Sequence, residues 1–108
     1  MKDKKIVIAI YKPAAGKEKE LDALVAKHVP TLRELGLATS RESVQMRAAD
    51  GAVVEIFEWT SEEAARQAHD HPAVAKIWES MGKIAGFGKL QDLPESGKAF
   101  AHFSPISL

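Results

Sequence analysis

The chain has 108 residues, enough for one domain and one core. Hydrophobic residues make up 45% and charged residues 28%, an ordinary globular balance that excludes disorder and low-complexity architecture. Fifteen Lys and Arg offset fifteen Asp and Glu, which speaks against a strongly basic nucleic-acid binder, and the lack of cysteine excludes disulfides, thiolate metal sites and cysteine nucleophiles.

The first element is Ile6-Val7-Ile8-Ala9-Ile10-Tyr11, β-branched, short, and closed by Lys12-Pro13, which predicts a strand. It is apolar on both faces, with Ile6, Ile8 and Ile10 on one and Val7, Ala9 and Tyr11 on the other. A strand wetted on one side would alternate, so both faces are expected to be covered. Residues 16–35 predict a helix. Leu21, Leu24, Val25, His28, Leu32 and Leu35 form one stripe, Glu18 and Glu20 suit the first turn, and Gly36 suits the position after the end. Pro30 should kink or split this helix near Val29. Residues 43–49 and 52–59 predict a hairpin around Asp50-Gly51. The second hairpin strand is again apolar on both faces, with one carboxylate on each: Glu55 beside Val53, Phe57 and Trp59, and Glu58 beside Val54 and Ile56.

Thr60-Ser61-Glu62-Glu63 matches a capping box with Thr60 as N-cap. A helix should follow to about Asp70, with Ala64, Ala65 and Ala68 inward. His71-Pro72 reads as a restart, since proline is favoured at a first helical position. Val74, Ile77, Trp78, Met81, Ile84 and Ala85 make the next stripe. Gly86-Phe87-Gly88-Lys89 follows a helix rather than a strand and reads as a turn, not a phosphate cradle. Residues 98–103 predict the last strand, stopped by Pro105.

These elements give the β-α-β-β-α-β order of ferredoxin-like domains, an α+β class with a four-stranded antiparallel sheet and both helices on one face. The other face would then be bare in a monomer. Strands apolar on both faces would leave a patch that soluble monomers rarely tolerate. A second copy stacked sheet to sheet is the simplest cover, and an obligate homodimer is expected.

The order of elements and the stretch Val54-Glu55-Ile56-Phe57-Glu58-Trp59-Thr60-Ser61-Glu62-Glu63-Ala64, with His71-Pro72-Ala73-Val74 beyond it, resemble the dimeric α+β barrel superfamily. Within it the chain is similar to antibiotic biosynthesis monooxygenase-like domains over residues 5–105. That resemblance implies a ligand cleft between sheet and helices. It also implies, among the activities of the superfamily, cofactor-independent oxygenation. The haem-degrading branch uses a strand-one asparagine with a helical tryptophan and a histidine. Aligned on Trp59, the helix positions fall near Ala68 and Trp78, but this chain contains no asparagine, so haem degradation by that triad is not expected.

His69 and His71 flank the break between two helix pieces. An imidazole ionises near neutral pH, so either could serve as a general base toward an electron-rich phenol or anthrone held in an apolar pocket. The plainer alternative is that His71 caps the helix before Pro72 and His69 faces solvent. Two histidines supply only two ligands where a catalytic zinc usually has three, so no metal is expected. Glu55 and Glu58 interrupt covered faces and need partners, Arg47 across the hairpin being one candidate. Tyr11, Phe57, Trp59 and Trp78 could line a flat aromatic ligand, or could simply be core. His28 and His102 read as core or interface histidines. The catalytic candidates are therefore His69, His71 and Glu55.

The expectation is a cofactor-independent monooxygenase-like protein acting on a small aromatic or polyketide-like molecule. The alternative is a non-catalytic homodimeric module binding a small ligand or a partner. An RNA-binding sheet is disfavoured, because Glu55 and Glu58 sit where a basic stacking surface would be needed. No membrane partner is expected, since the longest apolar run, Ile6 to Tyr11, is far short of the roughly 20 residues that cross a bilayer. The charged start Met1-Lys2-Asp3-Lys4-Lys5 precedes an apolar stretch too short for a signal peptide, so the chain reads as cytoplasmic.

Overall fold

The computed structural model describes residues 3–108; Met1 and Lys2 of the charged start lie outside the described residues. Nine residues of β1 (Lys5–Pro13) lead into α1 (Glu18–Glu34), then the hairpin of β2 (Val44–Arg47) and β3 (Val53–Trp59). Two helices follow, α2 (Glu62–Asp70) and α3 (Pro72–Ile84), and α3 runs directly into β4 (Ala85–Gly88). Two 3-10 turns, Leu90–Asp92 and Pro94–Gly97, precede β5 (Ser104–Pro105). The sheet has five strands in the order β4-β1-β3-β2-β5, and every pairing is antiparallel.

The β-α-β-β-α-β order holds, but the fourth strand is not where the alternation at residues 98–103 placed it. Ala85–Gly88 takes the edge beside β1, with Tyr11 opposite Phe87. Gly86-Phe87-Gly88 is thus strand rather than turn. A Cβ on Gly88 would meet Lys12 Cε at 2.9 Å and Ile10 Cγ2 at 3.0 Å, so glycine lets β4 lie close over β1. Residues 98–103 are irregular, and only Ser104–Pro105 pairs with β2, which makes a fifth strand.

Several local expectations shift by a residue or more. Ser61, not Thr60, is the N-cap of α2: its hydroxyl accepts from the Ala64 N–H at 3.1 Å. Thr60 instead donates to the Gly36 and Leu37 carbonyls, tying the start of α2 to the end of α1. Helix α1 runs through Pro30 without splitting. Pro30 and Ala26 both lie on its exposed side, where water can serve the carbonyl that loses its partner.

All three helices pack on one face of the sheet. Val29 and Leu32 of α1, Ala64 and Ala68 of α2 and Val74 of α3 meet Phe57 and Trp59. Leu21, Val25 and Met81 meet Tyr11 and Val53 nearby. The opposite face is not bare: Leu93 packs on Ile10, Val54, Ala48 and Ala52, and Phe103 joins them. The 3-10 turns and the C-terminal segment therefore cover about one end of that face. Ile6, Ile8 and Val44 stay 57%, 45% and 47% exposed. Among the described residues, no helix is long and apolar enough to cross a membrane.

Candidate active site

The sheet face turned toward the helices carries β1 side chains Val7, Ala9 and Tyr11 and β3 side chains Val53, Glu55, Phe57 and Trp59. Ala9 stands directly opposite Glu55 in the ladder. Its small side chain leaves room over the carboxylate, and two larger groups reach in. Tyr11, one step along β1, donates its hydroxyl to Glu55 Oε1 at 2.8 Å. His28 comes down from α1, on the buried stripe it shares with Leu21, Val25 and Leu32, and places Nδ1 2.8 Å from the same oxygen. Gln45, across the hairpin, donates to Glu55 Oε2 at 3.0 Å.

The charge state of this cluster follows from its donors. The indole N–H of Trp78 is a donor only, and it lies 2.8 Å from His28 Nε2. Nε2 must therefore accept, and the single ring proton of a neutral imidazole sits on Nδ1, directed at Glu55. With His28, Tyr11 and Gln45 all donating, Glu55 only accepts and is the carboxylate. It is 0% exposed and His28 is 3% exposed, so a negative charge lies inside the fold, held by three neutral donors. Arg47, the cation expected to answer it, pairs with Asp22 of α1 at 2.8 Å. A buried charge without a cation is costly and marks a functional candidate. Burial first, then the neighbouring Glu55 charge and the hydrogen bond to it, push the Tyr11 hydroxyl far above the usual phenol range. Tyr11 remains a protonated donor.

Above this cluster lies a cleft of about 300 Å³, between sheet and helices. Val7, Ala9, Tyr11, Phe57 and Trp59 form its sheet wall, His28, His69 and Trp78 its helix wall, and Phe87 of β4 one end. The His28 ring meets Phe57 edge-on, with centroids 5.5 Å apart. His69, on the exposed side of α2, meets Trp78 edge-on at 4.8 Å. Aromatic edges and faces, with few polar atoms, suit a flat aromatic ligand.

The structure gathers Tyr11, Phe57, Trp59, Trp78 and His69 around one cavity. It separates His71, whose Nδ1 accepts from the Ala73 N–H at 3.2 Å and caps α3. Glu55 does not border the cleft; it lies beneath, in contact through Tyr11 and His28. Glu58 is on the opposite face, where Thr39 donates to it at 2.9 Å and Arg41 lies at 3.1 Å. His102 is exposed near the C-terminus rather than in a strand. The group missed from sequence is His28, read as a core or interface residue. Among the described residues, no three His, Asp or Glu side chains come together as a metal site.

An α+β layer with a cleft between its antiparallel sheet and helices defines the structural class. No family model matches the chain, and no curated protein matches it. Among solved structures the chain is similar to SnoaB, a cofactor-independent oxygenase from Streptomyces nogalater, with a TM-score of 0.63 and 16% identity over 80% of this chain and 87% of that one. An asparagine-to-alanine mutant of SnoaB matches equally, at a TM-score of 0.63. At this identity the likeness establishes a shared fold.

Proposed function

We propose that this protein is a cofactor-independent oxygenase of small aromatic or polyketide-like substrates, which bind in the cleft between sheet and helices. The observation that carries the reading is the apolar aromatic cavity seated on the Glu55–His28–Trp78 chain of hydrogen bonds. The shared fold with SnoaB supports it.

The chemistry such a cavity supports needs only dioxygen as co-reactant. A base removes a proton from an electron-rich phenol or anthrone. The carbanion reduces dioxygen and captures it as a hydroperoxide, and loss of water leaves a new carbonyl. One oxygen atom enters the product. The other leaves as water with two hydrogens of the substrate, both from the methylene of an anthrone or one each from the ring carbon and hydroxyl of a phenol, so the substrate supplies all the electrons. Phe57, Trp59 and Trp78 would hold the ring, and the dry walls would protect the carbanion from reprotonation.

The far face supports a homodimer. Ile6, Ile8 and Val44 stay open beside a second apolar groove of about 330 Å³ that includes Ile8, Ile56 and Leu93. A second copy stacked on this face would cover them.

The test of function is oxygen uptake with a panel of anthrones and quinols. Uptake coupled to quinone formation is expected. Tight ligand binding with no oxygen consumption would favour the non-catalytic binding module instead.

A further inference from the structure

The two histidines flanking the helix break are the obvious bases in the sequence, yet the structure equips a different one. His71 is spent on capping α3. His69 stands on the exposed side of α2, and no carboxylate hydrogen-bonds its ring among the described residues. Among the described residues, His28 alone combines three properties: a wall position in the cleft, a buried carboxylate on Nδ1, and a neutral Nε2 whose lone pair is held only by the Trp78 indole.

From this we infer that His28 is the base of the cleft, that Glu55 is its positioning residue, and that the substrate class is an aromatic bearing an acidic hydroxyl. The inference rests on the reading that the cleft takes an aromatic substrate. The proton balance is simple. The ligand O–H loses its proton to Nε2, giving a phenolate and an imidazolium. The imidazolium keeps its Nδ1–H on Glu55, whose negative charge now faces a cation at 2.8 Å instead of a neutral ring. The buried anion that is costly in the free protein becomes half of an ion pair at the moment of proton transfer.

Trp78 has two positions to serve. In the free protein its N–H occupies Nε2 and keeps the lone pair from being left unpaired. Trp78 is half-buried at the cleft wall, so the indole can turn aside when a ligand hydroxyl takes its place. Its N–H is then available to the new phenolate oxygen. Tyr11 stays out of the transfer, because its hydroxyl is committed to Glu55 and held protonated.

The experiment is binding of 4-nitrophenol, whose phenolate is yellow and whose phenol is not. At a pH where the free probe is mainly the phenol, the bound probe is expected to be yellow. Glu55→Gln and His28→Gln should each abolish that colour. Nitrogen-15 NMR of histidine in the unaltered protein gives a second reading that no folding defect can confuse. His28 should carry its proton on Nδ1 when free and on both nitrogens with the probe bound. A merely structural Glu55 would leave the bound probe yellow in Glu55→Gln.

The inference is overturned if the probe fails to bind, if it binds without changing colour, or if His28→Gln retains the yellow form. It is equally overturned if His69→Ala removes the colour while His28→Gln keeps it. Failure of the oxygenase reading looks different: the probe ionises on His28, but no anthrone or quinol consumes oxygen.

Discussion

Trp78 donates its indole N–H to His28 Nε2 over 2.8 Å, joining two helices through residues 50 positions apart in the chain. That bond fixes the tautomer of the histidine and, through it, the ionisation of Glu55. Trp78→Phe keeps an aromatic ring, though a smaller one, and leaves a buried acceptor empty, which should cost about 1–3 kcal/mol. Urea denaturation measures it. An unchanged midpoint would mean that the bond contributes nothing in solution.

The donors around Glu55 should rank by what each leaves behind. Tyr11→Phe removes one of three donors and should cost about 1–2 kcal/mol. Glu55→Ala removes the shared acceptor, stranding His28 Nδ1 and the Tyr11 hydroxyl together, and should cost about 2–6 kcal/mol, the penalty of two unmet buried donors. If the alanine variant were as stable as the phenylalanine one, the cluster would not be a cooperative unit. Comparing both in the same denaturant series decides this.

Acid should weaken one contact on the opposite face. The Thr39 hydroxyl donating to Glu58, with the Arg41 guanidinium beside it, holds this carboxyl below the usual glutamate range. A folded-state pKa below the unfolded one stabilises the protein above the unfolded value. That contribution is lost as the pH falls through the folded value. Thr39→Val should therefore reduce stability at neutral pH and flatten its decline between pH about 5 and the acid limit of folding. Thermal melts of the two proteins across that window are the check. Parallel curves would remove Thr39 as the cause.

The proposed dimer makes a prediction about mass. Sedimentation should give a species near twice the 11.8 kDa chain. Ile8→Lys, a charge at the centre of the open face, should return it to single chains, while the cleft on the other side of the sheet remains able to bind 4-nitrophenol. A wild-type chain that sediments singly at micromolar concentration would end the sheet-to-sheet proposal.

Much of the architecture was readable because alternation is a direct signal. The division of β1 into an Ile6/Ile8/Ile10 face and a Val7/Ala9/Tyr11 face, and of β3 into a Glu55 face and a Glu58 face, follows from period two alone, and the structure keeps both. The edge strand was misplaced because the cue was local and its cause was not. Ala85–Gly88 has two glycines and little β-propensity. It pairs because α3 delivers it to the free side of β1, where Gly88 fits against Ile10 and Lys12. The site was half legible for a similar reason. Glu55 stands out on a covered strand face, but the partner that completes it is a histidine on a helical stripe. Its apolar neighbours hid it, and nothing local shows that the α1 stripe lies over Ala9. A histidine on an inward stripe, in a chain with a carboxylate on an inward strand face, is the signal that could have joined them.

The position of Glu55 in the sheet also bears on how the chain finds its register. β3 pairs with β1 through seven residues, from Lys5 opposite Trp59 to Tyr11 opposite Val53. Both of its faces carry apolar side chains, so alternation alone marks the native register weakly. A slide by one step would turn Glu55 away from Tyr11 and His28 and bring Ile56 to them. A misregistered β1–β3 pair thus faces an electrostatic penalty that hydrophobic patterning alone would not impose. A buried anion placed for the pocket would in this way also select the native pairing of β1 with β3.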